Sequence, residues 1–107
     1  MLRMMLSAVV ALGFSTPVLA NPDHSEICVE TSRIVHIAVA QRAGGMKPDS
    51  IKRGMTEGRY KVSEQFLPTV GPVVDWVFTI ESGEVSAPDA AKTIAGRYRN
   101  GCMSFKP

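Results

Sequence analysis

Only two cysteines occur in this chain, Cys28 and Cys102, and they stand near the two ends of the segment that can fold. If they bond to each other, one covalent link closes almost that whole segment into a loop, and its ends must meet. Whether they bond depends on compartment, because disulfides persist in oxidising environments and are rare in reducing ones.

The N-terminus speaks to the compartment. The segment MLRMMLSAVVALGFSTPVLA carries basic Arg3, an uncharged apolar run from Met4 to Phe14, helix-breaking Pro17, and then Val18 and Ala20 at the positions where a signal peptidase needs short side chains. That order is the three-part pattern of a secretory signal. Polar Asn21, Pro22 and Asp23 follow, which places cleavage between Ala20 and Asn21. A membrane-spanning helix needs about 20 apolar residues, and this run stops well short of that. No cysteine follows the cut directly, so a lipid anchor is not indicated. Residues 1–20 are therefore expected to be a signal peptide and residues 21–107 one exported domain, periplasmic or secreted.

A domain of that length is close to the size at which a hydrophobic core alone is marginal. An exported pair of cysteines is expected to bridge, and on the chain-entropy account closing the loop from Cys28 to Cys102 stabilises the fold by roughly 4 kcal/mol. A redox-active pair would normally be close in sequence, as in C-x-x-C. The formal net charge of +2 falls further once Arg3 is removed, which leaves no electrostatic footprint for nucleic acid.

Helical signals run the length of the exported part. Asp23 with Glu26 three residues later reads as a capping box, Gly44 and Gly45 as a stop, and between them Ile27, Thr31, Ile34, Val35, Ala38 and Arg42 recur at steps of three and four, with Cys28 at the edge of the stripe. Pro48 suits the first turn of a second helix, which Asp49 complements at its positive end, while Gly54 and Gly58 weaken it. Residues 68–80 are apolar and rich in β-branched side chains. Val70, Val73, Val74, Val77 and Glu81 keep a helical step, but periodicity alone does not separate the segment from a buried strand; it is read as helix because its neighbours look helical and a lone strand would have no partner for its ladder. Ser86 with Asp89 reads as a second capping box, with Pro88 in the first turn of a last helix whose stripe is Ala91, Ile94, Tyr98, Cys102 and Phe105.

The expected fold is therefore all-α: a small antiparallel bundle of about four helices, stapled by one disulfide. Run up, down, up and down, it brings the start of the first helix beside the end of the last, where the two cysteines sit.

Chemical signatures are sparse. His24 and Cys28 are one helical turn apart and could share a metal, but a stable zinc site wants three or four protein ligands, and Cys28 is already assigned to the bridge. His24 is then a polar residue of a first turn and His36 a rim residue. No nucleophile elbow, catalytic Cys with its His, or phosphate loop is present. The expectation is no catalytic residue, no metal ligand and no cofactor. Trp76, Phe78, Phe66, Tyr60 and Met55 are expected in the core or at its edge, and an exposed Trp76 or Phe78 would instead mark a contact patch. Basic residues dominate 42–61 and 92–107, acidic ones 62–91. The simplest consequence is weak pairing between neighbouring helices, and the functional one a bipolar surface that steers a charged partner.

Cys28, Arg42 with Gly44 and Gly45, Pro48 and Cys102 together resemble a loose class of small exported bacterial helical proteins with two cysteines near the chain ends and no assigned function. The resemblance covers most of the exported part and implies a scaffold, with no catalytic or binding residue to carry over. The functional expectation is a non-enzymatic binding or inhibitory module with a protein partner in the cell envelope, no nucleic acid, and no membrane after signal cleavage. The alternatives are a periplasmic stress or chaperone-like protein and a small hydrolase or metal-handling protein.

Overall fold

The computed structural model describes residues 23–105. The expected signal segment and its cleavage point between Ala20 and Asn21 lie outside the described residues. Within them the fold is all-α, with no strand. Four helices of substantial length, α1 (His24–Ala43), α2 (Pro48–Thr56), α3 (Leu67–Val77) and α5 (Ala90–Ser104), are joined by short connections that include a 3-10 turn (Glu64–Phe66) and one extra helical turn, α4 (Ser82–Val85).

Local chemistry sets most of the boundaries. Asp23 Oδ1 accepts the Glu26 backbone N–H at 2.8 Å, satisfying one of the free donors at the start of α1. At its other end the Met46 N–H donates to the Gln41 carbonyl and the Gly45 N–H to that of Arg42, with Gly45 at φ +93°. That is a Schellman stop, and it needs a residue that tolerates the left-handed region. Pro48 is the first residue of α2, where its missing N–H costs nothing.

Residues 68–80 settle as helix for most of their length. Val70, Val73, Val74 and Val77 all turn inward from α3, so burial on a helical face outweighs their β-branched preference.

The start of the last helix differs from expectation. Ser86 closes α4 rather than opening α5, and Asp89 caps α5 with φ +59° and no side-chain hydrogen bond. The physical reason lies in Val85, which is buried in the common core. The α4 turn that carries Val85 inward takes up Ser86 and shortens the stretch available for a capping box. Asp89 opens α5 through its carbonyl, which accepts the Thr93 N–H at 2.9 Å, and Asp is among the residues that enter the left-handed region most readily.

One core joins the elements. Ile34, Val35, Ala38 and Val39 of α1 meet Ile51 and Met55 of α2, the four valines of α3, and Ile94 and Ala95 of α5, with Val62 and Phe66 closing the lower connection. α1 makes its most extensive contact with α5 and a second with α3, and α2 packs on α3. Two apolar residues of the expected stripes are exposed: Ile27 at 39% and Phe105 at 63%. At the start of α1 it is Cys28 rather than Ile27 that turns fully inward toward α5, and Phe105 lies just past the last residue of α5.

Candidate functional site

The beginning of α1 and the end of α5 meet as the topology requires. Cys28 and Cys102 are bonded, with Cα atoms 5.6 Å apart, so α1 and α5 run antiparallel. Their meeting point also holds a residue that the sequence reading left without a role. His24 Nε2 lies 2.8 Å from the Cys102 carbonyl oxygen and 3.7 Å from Cys28 Sγ. A carbonyl can only accept, so Nε2 carries the proton and donates it. A signal for this was present: His24 and Cys28 share a helix face, and the bridge brings Cys102 to that face.

At the other end of the bundle Arg42 spans two helices. Its Nη1 donates to the carbonyls of Val77 at 2.8 Å and Ile80 at 2.7 Å, and its guanidinium carbon stands 5.1 Å from the centre of the Phe78 ring. The last carbonyls of α3 have no partner within their own helix, and a cation at that negative end is favourable. The sequence placed Arg42 on the inner stripe but could not say which helix end it would meet.

That anchored segment forms one wall of a surface cleft of about 540 Å³ between α3, α4 and α5. Trp76, Ile80, Ile94 and Tyr98 give it an apolar floor, and Glu81, Glu84 and Arg97 stand at its rim. The Trp76 and Tyr98 rings are 5.9 Å apart and tilted by 53°. Trp76 is 43% exposed, outside the core position expected of it, and Tyr60 is exposed as well, whereas Phe66 and Met55 are buried and Phe78 is half-buried. The cause is helical phase: Val73, Val74 and Val77 occupy the inner face of α3, and Trp76 falls on the flank between it and α5.

The other histidine, His36, is exposed in a second groove, of about 530 Å³, between α1 and α5, with Arg33, Lys92 and Arg99 around it. His24 and His36 are therefore not brought together. The uneven charge of the sequence resolves in part into pairs between neighbouring segments, Lys52 with Asp75 at 2.8 Å and Arg97 with Glu84 at 3.2 Å. The hydrogen bond to Asp75 holds the Lys52 ammonium above its ordinary range. Both pairs are solvated, and such pairs contribute little to stability.

Comparison with protein-family models, curated proteins and solved structures finds no match to the chain. Geometry and chemistry alone therefore carry the functional reading.

Proposed function

We propose that this protein is an exported, non-enzymatic binding module that engages a protein partner of the cell envelope through the Trp76–Tyr98 cleft. The observation that carries this reading is the exposed Trp76 ring, set against the half-buried Tyr98 ring beside Ile80 and Ile94. Exposed aromatic surface of this kind is what interface hot spots are made of. Arg97 at the rim pairs with Glu84, so it is the added charge of Glu81 that favours a partner inserting an apolar side chain next to a basic one. The one hydroxyl of threonine in the cleft is committed elsewhere, since Thr79 Oγ1 donates to the Trp76 carbonyl at 2.6 Å. Among the described residues, no helix is long and apolar enough to cross a membrane.

The test is capture of the partner from an envelope extract followed by titration with the purified protein. We expect a one-to-one complex, a shift in the emission of Trp76, the only tryptophan of the chain, and an affinity loss of about tenfold or more in Trp76→Ala, the equivalent of about 1.4 kcal/mol. A Glu81→Lys change should also weaken binding. A captured protein that binds the Trp76→Ala variant unchanged would place the interface elsewhere and reject the reading.

Export has its own test. Intact-mass analysis of the envelope or secreted form should find a chain that starts at Asn21, and a chain that retains Met1 to Ala20 would refute the signal reading.

A further inference from the structure

We propose that the dithiol form of this protein, in which the chain is first made, holds one thiophilic d10 cation, Zn(II) or Cu(I), between His24 Nε2, Cys28 Sγ and Cys102 Sγ. The three donor atoms already lie within 4.8 Å of one another. Zinc–sulfur bonds of about 2.3 Å and zinc–nitrogen bonds of about 2.0 Å place tetrahedral ligands about 3.5 to 3.8 Å apart. His24 Nε2 and Cys28 Sγ already stand at 3.7 Å, the spacing of one ligand pair, and the imidazole must give up its hydrogen bond to the Cys102 carbonyl to turn this nitrogen to the cation. The backbones carrying the two sulfurs are 5.6 Å apart at Cα, so rotation of the Cys102 side chain alone can open the sulfur pair to a bridging distance.

Donor chemistry and surroundings agree. Two thiolates and an imidazole form a soft set suited to Zn(II) or Cu(I) over Mg(II) or Ca(II). Cys28 is fully buried while His24 and Cys102 are half-buried, so the site has a protein wall on one side and an open side for a fourth ligand such as water. Two of the three donors are fixed by the rigid spacing of one helix, since residues four apart share a face. The third arrives through the α1–α5 packing.

The balance is simple. Binding displaces one proton from each thiol, and the imidazole proton moves from Nε2 to Nδ1 so that the freed nitrogen can bind. Oxidation takes the same two sulfurs the other way. Thiol–disulfide exchange with a partner disulfide forms the Cys28–Cys102 bond as the partner's S–S bond breaks, passes two electrons to that partner, whose two sulfurs take up two protons from solvent, and expels the cation. Metal-bound and bridged forms are thus mutually exclusive, and a bound cation shields the thiols until oxidation.

Cobalt(II) provides the probe, because thiolate-rich tetrahedral Co(II) has intense visible bands. The full exported protein, reduced by a phosphine without oxygen, should take up one Co(II), lose the bands when Zn(II) is added, and show none when oxidised or as Cys102→Ser. Competition against a chromophoric Cu(I) chelator distinguishes the two cations. His24→Gln, which leaves both thiols in place, should weaken binding on the order of tenfold or more, as loss of a supporting group at a metal site already does. A helical reduced protein without tetrahedral Co(II) bands overturns the proposal, as does a His24→Gln variant that binds as tightly as the unaltered chain. So does a reduced chain that loses its helical circular dichroism and does not regain it with Zn(II) or Cu(I).

Discussion

Cys102→Ala should lower the unfolding free energy by roughly 2 to 5 kcal/mol, the usual cost of removing a native disulfide from a small secreted domain. The bridge spans 74 residues of sequence, so it suppresses an unusually large share of the unfolded chain's freedom. It also fixes the start of α1 to the end of α5, the two helices in most extensive contact. A domain of this size has only a few kcal/mol to lose. The midpoint of thermal unfolding should accordingly fall by at least about 10 °C, measured by circular dichroism on the oxidised protein and the variant side by side. The His24→Ala, His36→Ala double variant is the comparison. His36 is exposed, and His24 contributes a single hydrogen bond to the Cys102 carbonyl, so the loss there should be about 1 kcal/mol. Equal losses in the two proteins would mean that the bridge contributes little and that the packing of α1 on α5 sets the stability.

Arg42→Ala should cost about 2 to 3 kcal/mol, well above the half kcal/mol usual for a surface substitution. Two charge-assisted hydrogen bonds to Val77 and Ile80 disappear together, each worth roughly 1.5 to 3 kcal/mol, while the Val77 carbonyl keeps the Ile80 N–H as a partner. Water will reach these carbonyls in part, which is why the total is put below the simple sum. Contact with Phe78 is lost as well. Arg42→Lys should recover only part of the loss, because an ammonium lacks the planar fork of a guanidinium. Urea unfolding measures the difference. Hydrogen exchange adds a local readout, since the amides of Phe78 to Ile80 should open earlier in Arg42→Ala than those of α1. A loss under half a kcal/mol would show that the α3 end is held by its valines alone.

Several elements were legible in the sequence because their causes act within a turn or two of chain. Asp23, Gly45 and Pro48 set boundaries through the backbone groups beside them, whereas residues 68–80 read as helix through their helical neighbours, since the spacing of Val70, Val73, Val74 and Val77 does not by itself separate helix from a buried strand. The Cys28–Cys102 bridge was also foreseeable, since an up-and-down bundle leaves few other places for those helix ends to meet. What stayed hidden depends on how the helices face one another. Ser86 and Asp89 have the spacing of a capping box, yet burying Val85 captured that stretch for another turn. Trp76 has the size of a core residue, but the valines beside it had already filled the inner face of α3.

The contacts that set the two bundle ends and the cleft join residues far apart in sequence: Trp76 with Tyr98, Arg42 with Ile80, His24 with Cys102. By itself the sequence determined helical class, both ends of the first helix, the start of the second and the identity of the two cysteines that would bond, because capping and proline placement are local and the bridge follows from topology. Only the tertiary structure decided which side chains converge at the bundle's two ends and which aromatic rings face solvent. Those outcomes depend on the phase and separation of neighbouring helices, which are fixed by packing the whole core at once.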